Sequence, residues 1–295
     1  MAGFAQQVVL GLLLGGVYTA IALGFGLVWG VLNIVNLTHG ALVLCGAYIT
    51  WWLFSTVGLD PFAGLVVAGA GLFVIGYALQ RVIINRVIRA PLLFTFLLTF
   101  GLNLVLVNLL LIIFKADFRS VTPHYSGSGF SVDGVTVPFI RLAALGIALL
   151  TATALAGLLN RTRIGGAIQA VAADRDAAQL VGVDLAHTYA LTFAIGAACA
   201  GVAGGLISMI QSITPGSSAQ YTLASFVVVV LGGLGRVSAT VVGGLVFGLV
   251  EILAQSNSHV GAGFSNAIAF GLMVLVVIIR PRGIMGRLSG TAPGV

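Results

Sequence analysis

Charge is scarce in this chain. Asp, Glu, Lys and Arg make up 7% of the 295 residues while 59% are hydrophobic, and the mean hydropathy is +1.16. A soluble domain carries about 25% charged residues, and one this apolar would expose large patches to water and aggregate. The solvent that suits the composition is a lipid bilayer. Lysine is scarcer still. The one lysine, Lys115, follows Ile-Ile-Phe, so the chain has no G-x-x-x-x-G-K-[ST] loop to cradle nucleotide phosphates. No basic residue precedes Arg81. The N-terminus, MAGFAQQVVLGLLLGG, therefore lacks the basic n-region of a secretory signal and reads as a retained span. The two cysteines, Cys45 and Cys199, lie inside apolar runs; they are too few for a disulfide framework or a metal cluster. His39, His124, His187 and His259 stand in separate segments without metal-ligand spacing, and no two carboxylates share an apolar stretch. Little is left to support an intramembrane enzyme. "GGLGRVS" (232–238) has neither the spacing nor the βαβ context of a dinucleotide loop and reads as a tight turn between spans.

Long apolar runs are what the chain has. Residues 1–59, 61–80, 90–114, 142–160, 185–235 and 252–279 contain no Asp, Glu, Lys or Arg, and about 20 apolar residues suffice for a spanning helix. The runs divide into eight to nine hydrophobic segments: roughly 5–28, 37–55, 62–80, 91–114, 139–159, 188–211, 221–231, 238–254 and 264–280. The 221–231 segment is short enough for a half-helix. The expected fold is an all-α polytopic membrane protein forming one transmembrane domain over residues 1–295.

The net charge of +6 and pI near 9.9 do not point to nucleic acid, which wants a basic stripe on a solvated face. The basic residues gather at the ends of apolar runs: Arg81, Arg86 and Arg89; Arg161 and Arg163; Arg280, Arg282 and Arg287. By the positive-inside rule these clusters face the cytoplasm. The loop 115–138 then faces outward, the N-terminus lies outside and the C-terminus inside. The outward loop carries Lys115 and Arg119 offset by Asp117 and Asp133, and its "FSVDGVTVP" alternates around Asp133-Gly134. That dipeptide favours a two-residue hairpin turn; a small hairpin and an irregular loop are both open.

Glycine is abundant, at 41 residues. Small residues let membrane helices approach closely, which accounts for most of them. Two stretches share a layout. A Gly-rich span (11–30), a polar break "LNIVNLTHG" (32–40) and an apolar run (41–54) are matched by a Gly-rich span (196–210), "QSITPGSSAQYT" (211–222) and "LASFVVVVLGG" (223–233). Matched interrupted segments suggest inverted repeats around a transport path, since non-helical backbone at membrane depth survives only against protein or a water-filled cavity. Two ordinary interhelical loops would give the same letters. Neutral groups that could pass a zwitterion without trapping it are Asn33, Asn36, Thr38 and His39 in the first break and Gln211, Ser212 and Thr214 in the second. Capping and interhelical hydrogen bonding are the alternative for each. Glu251 is the one acid inside an expected span; it is either a functional intramembrane charge, as for ion coupling in a secondary transporter, or a side chain near the outer interface that reaches solvent.

One segment is of another kind. "RTRIGGAIQAVAADRDAAQLVGVD" (161–184) holds six of the chain's 20 charged residues, three acidic and three basic. Thr162 is placed to cap a helix and Gly182 to stop it. Ile164, Ile168, Val171 and Ala172 fall on one helical face. The result is a short amphipathic helix, read as one rigid piece. Lipid docking would favour a Lys/Arg-rich polar face, so a balanced face suits a protein partner better.

This segment resembles the cytoplasmic coupling loop of ABC importer permeases of the branched-chain amino acid class. "LNIVNLTHGALVLCGAYI" (32–49), "VVVVLGGLGRVSATVVGGLVFGLVE" (227–251) and "RPRGIMG" (280–286) agree in order and spacing, and the likeness is to the shorter of the two permeases such systems use. Thr38 stands where a small residue is usual, and Arg236 and Ser238 occupy a turn that often has Ser and Pro. The resemblance implies a coupling loop over 161–187, with Arg163, Gly165, Gly166, Ala167, Asp174, Arg175, Asp176, Ala178 and Gly182 meeting an ATPase subunit. It implies a second permease subunit, two ABC ATPase subunits holding ATP and Mg, an external, periplasmic substrate-binding protein, and residence in a bacterial inner membrane. This chain itself would hold no cofactor or metal and would not be an enzyme. Branched-chain or other apolar amino acids are the implied cargo, with urea, short amides or aromatic acids as alternatives in the same class.

Overall fold

The computed structural model describes residues 2–88, 90–132, 134–256, 270, 271, 274–276, 278–280 and 283–285. It is built almost wholly of helices. α1 (Ala2–Leu32) is followed, after an irregular stretch, by α2 (His39–Trp52), which continues through one π-helical turn to Gly58. Gly58 stops it with φ of 72°, a left-handed conformation that glycine adopts without a Cβ penalty. α3 (Pro61–Val82) starts where the Asp60 carboxylate accepts from the Phe62 N–H and Pro61 fills the first turn. α4 (Leu92–Phe114) leads into the loop expected outside, where β1 (Gly129–Val132) and β2 (Val135–Pro138) form the small antiparallel hairpin. Gly134 turns it with φ of 80°. Gln6 of α1 holds β2 by exchanging two hydrogen bonds with the Thr136 backbone, at 2.9 and 2.6 Å.

α5 (Phe139–Arg161) enters the charged segment, α6 (Arg163–Ala173) and α7 (Arg175–Leu180) form it, and α8 (Leu185–Ile210) leaves it. α9 (Ser218–Gly232) and α10 (Val237–Gln255) follow. Among the described residues, seven helices are long and apolar enough to cross a membrane: α1, α2 with its π turn, α3, α4, α5, α8 and α10. α9, with 15 residues, is the short segment expected at 221–231. The expected span 264–280 falls mostly outside the described residues, as do Arg89, Asp133, His259, Arg282 and Arg287.

The core is two interlocked halves. α1 and α8 run antiparallel through the centre and cross where a Cβ at Gly24 would collide with the Gly196 carbonyl. α3 then packs along α8, not along α1, and α10 packs along α1, not along α8. α2 likewise leans on α8 and α9 on α1. α2 and α9 are therefore each held by the long helix of the other half. Ends bearing Arg81, Arg86, Arg161, Arg163 and Arg236 collect on one side of the bundle. Gly30 approaches Gly235 there, and the Asn85 amide donates to the Ala186 carbonyl at 3.0 Å. The outward faces of α3 and α4 expose Val66, Val74, Leu92, Leu93, Phe94, Ile112 and Ile113, as lipid-facing helices do.

Candidate functional site

The first break begins at Asn33, whose φ of 54° turns the chain back on itself after α1. The chain then climbs beside α1, because the His39 ring nitrogen Nε2 lies 2.8 Å from the Ile21 carbonyl and must donate to it. Ile21 is about 16 Å back along α1 from Leu32 at 1.5 Å per residue, so α2 starts well inside the bundle. The side chains of Asn36 and Thr38 are hydrogen-bonded along the climb. The Asn36 carboxamide accepts from the Thr38 N–H at 3.0 Å, and the Thr38 hydroxyl donates to the Thr99 carbonyl of α4 at 2.9 Å. The Gly40 N–H donates to the Thr222 hydroxyl of α9 at 2.9 Å. A side chain at Gly40 would collide with the Ser218 carbonyl, so only glycine lets the first turns of α2 and α9 meet. Asn36, Thr38 and His39 are buried at 2%, 0% and 1% exposure, whereas Asn33 is exposed.

The second break lies at the other end of the bundle. Ile213 and Arg119 exchange backbone hydrogen bonds of 2.7 and 3.0 Å, pinning the 115–138 loop to it. Gln211 and Ser212 are exposed and Thr214 is half-buried; the Gln211 amide donates to the Tyr221 hydroxyl at 3.2 Å. The two sets of expected path residues are thus not one cluster. They are joined through the first turns of α2 and α9 and through α4, whose Thr99 carbonyl accepts from Thr38 and whose Asn103 carboxamide accepts from the Ser218 hydroxyl at 2.7 Å.

Around the second break the structure gathers groups that no spacing in the sequence indicated. The Arg119 guanidinium sits 4.8 Å from the Trp51 ring centroid and pairs with Asp117 at 3.0 Å. Tyr48 stacks on Phe114, and Tyr221 lies within electrostatic reach of both Tyr48 and Tyr18. Tyr18 in turn neighbours Glu251, which is buried rather than solvent-reaching. Nearby, the Tyr125 hydroxyl donates to Asp60 at 2.9 Å, and burial together with that bond holds it well above the usual phenol range. No group of three or more His, Cys, Asp or Glu side chains that could hold a metal occurs among the described residues.

The charged segment differs from expectation in two ways. It is two helices, because Asp174 takes an extended backbone and caps the second, accepting from the Asp176 and Ala177 N–H groups at 2.9 and 3.0 Å. Residues 161–184 are therefore not one rigid helix; a capping aspartate in mid-segment ends one helix and starts another. The ends are where the sequence put them: the Thr162 hydroxyl accepts from the Gly165 N–H at 3.0 Å and Gly182 stops α7 with φ of 89°. The buried face is also rotated, being Gly165, Ile168 and Val171, while Ile164 and Ala172 are exposed.

The nine expected coupling residues divide accordingly. Arg163, Gly166, Asp174, Asp176 and Gly182 face outward, Ala167 is half-buried, and Gly165 and Ala178 pack inward. Arg175 turns inward too, donating to the Leu32 carbonyl at 2.7 Å with its guanidinium over the Tyr189 ring. It thereby ties α7 to the residue before the first break. Leu180 and Val181, at 88% and 80% exposure, form an apolar knob beside the outward set.

A family model described as branched-chain amino acid transport system / permease component matches residues 7–277. The chain is 30% identical to the high-affinity branched-chain amino acid transport system permease protein BraD of Pseudomonas aeruginosa, over 96% of each chain. It is 29% identical to the corresponding permease protein LivH of Escherichia coli K12, again over 96% of each. With the permease protein LivM of Salmonella typhimurium it shares 28% identity, over 91% of this chain and 68% of that one. No solved structure matches the chain.

Proposed function

The chain belongs to the branched-chain amino acid transport permease family, and we propose that it is one permease subunit of an ATP-driven ABC importer. ATP and Mg are held by two separate ATPase subunits, and a substrate-binding protein delivers cargo at the face where the 115–138 loop lies. The cargo is a branched-chain or other apolar amino acid. The arginine-rich side faces the cytoplasm of a bacterial cell, with the N-terminus outside. The second permease is a chain of the same family, since this one matches both the LivH and LivM types.

The observation that carries this reading is the α6–α7 pair. It packs across the ends of α1, α5 and α8, is capped at both ends, exposes Leu180 and Val181, and is tied by Arg175 to the end of α1. A secondary transporter has no need of such a lever. Movement of α7 would pull on Leu32 and through it on the first break. On this reading the buried Asn36, Thr38 and His39 close the path, and the exposed Asn33, Gln211 and Ser212, with the half-buried Thr214, belong to its openings.

The test is reconstitution with a second permease, ATPase subunits and binding protein in proteoliposomes. Accumulation of leucine that needs ATP and ignores the proton gradient is expected. Accumulation driven by a proton gradient without ATP, abolished by Glu251→Gln, would replace this reading with a secondary transporter.

A further inference from the structure

The outward face of α4 is apolar except for one carboxamide. The inward face is fixed by Thr95, Thr99 and Leu110, which are buried, and by Asn103, whose carboxamide accepts from the Ser218 hydroxyl at 2.7 Å. Asn108 lies about two and a half helical turns beyond Thr99, so it points away from the bundle, and it is exposed. At 1.5 Å per residue it sits about 10 Å inside the outer end of the helix, where Lys115 stands. Its amide donates to the Leu104 carbonyl one turn back at 2.8 Å, and among the described residues its Oδ1 has no partner. Lipid tails supply no donor, and an unpaired polar group in hydrocarbon is costly. Thr153 on the exposed face of α5 avoids that cost by donating its one proton to its own Leu150 carbonyl at 2.9 Å. Two turns before Asn108, a Cβ at Gly101 would meet nothing within 4 Å. Leu97, Gly101, Leu104, Asn108 and Leu111 recur in alternating steps of four and three, the spacing of a helix–helix seam. Leu97 and Leu104 are 53% and 46% exposed. A single Asn in such a seam fixes register, and a small residue lets membrane helices approach closely.

Resting on the reading of this chain as one of two permeases, we infer that this face of α4 is the seam against the second permease subunit. Depth selects that occupant. ATPase subunits and a binding protein lie outside the bilayer and do not reach Asn108, so the chain that covers it is itself embedded in the membrane. Two chains of one family in one membrane are related by an axis along the membrane normal, and their corresponding helices run parallel at the same depth. The helix facing α4 brings a small residue opposite Gly101 and a side-chain amide or hydroxyl opposite Asn108. That group donates to Oδ1 and accepts from the second amide hydrogen of Asn108. The apolar exposure of α3, which carries no such polar group at Val66 or Val74, is left to lipid.

The test uses the importer assembled in its own membrane, with a photoreactive benzoylphenylalanine at Leu104 or, as control, at Val74. Irradiation should join position 104 to a chain of the same permease family, identified by mass spectrometry, and position 74 to lipid. Gly101→Leu fills open space in this chain, so its Tm should match the wild type. On diluting the detergent-solubilised complex, that variant should need at least about tenfold higher protein concentration to keep half of the second permease bound. Asn108→Leu should need about three- to tenfold more, the size of one interhelical hydrogen bond. Adducts of position 104 with lipid alone or with a protein outside the family, or wild-type retention in both variants, overturn the seam. ATP-driven leucine uptake is measured in parallel. A second permease retained and uptake intact, without the adduct at 104, reject the α4 seam alone. The adduct and the weakened retention without ATP-driven uptake reject the importer reading alone. A wild-type chain that carries no second permease overturns both.

Discussion

A Cβ added at Gly165 would run into the Leu158 and Leu159 carbonyls at the end of α5, whereas one at Gly166 would meet nothing within 4 Å. Two adjacent glycines therefore have opposite jobs. Gly165→Ala forces backbone apart and should destabilise by about 1–3 kcal/mol, as overpacking does, read as a lower Tm in detergent. Gly166→Leu should leave Tm at the wild-type value and reduce the ATPase subunits retained on the tagged permease. If Gly166→Leu retains them fully, the outward face of α6 is not where a partner docks. Arg175 is a second case in which position outweighs type. Its hydrogen bond to the Leu32 carbonyl, with a charged donor, is worth about 1.5–3 kcal/mol, while an exposed residue such as Arg163 contributes within about 0.5 kcal/mol. Arg175→Ala should keep ATPase subunits bound yet lose most uptake, and Arg163→Ala should affect uptake little. Equal uptake in the two variants would remove Arg175 from the transmission path.

At the scale of elements, the first turns of α2 and α9 form the junction of the two halves, sealed by the Gly40–Thr222 hydrogen bond. Asn36 is buried just before it and Gln211 is exposed at the far break. In a background lacking Cys45 and Cys199, Gln211→Cys should react readily with a water-soluble maleimide, and Asn36→Cys should be protected in the isolated permease. Protection of Asn36→Cys should fall once nucleotide-loaded ATPase subunits are bound; unchanged protection in every state would make the first break a sealed wall rather than a gate. The element boundaries themselves were largely legible. Thr162 and Gly182 act within three residues of where they stand, so letters alone reveal them. Asp174 was missed as a cap because it sits inside a pattern that also fits one continuous helix, and choosing between the two depends on how α6 and α7 pack.

For the whole molecule, the division of labour is the testable property. The purified chain should hydrolyse no ATP, since Lys115, its one lysine, ends α4 and lies in no phosphate-binding loop. ATPase activity in the pure subunit that survives Lys115→Ala would overturn that assignment. Sequence by itself determined the solvent of this protein, most of its helical segments and the ends of its charged segment, because each depends on composition or on residues within a few turns of one another; it left the hairpin open against an irregular loop, since a two-residue turn signal does not fix strand pairing. Only the tertiary structure decided that α2 and α9 change sides, that Arg175 bonds Leu32 across 143 residues, and that Tyr18, Tyr48, Tyr221 and Glu251 converge. Those groups sit on four different helices, and side chains so far apart in the chain become neighbours only when small residues such as Gly24 and Gly196 let the helices that carry them cross at close range.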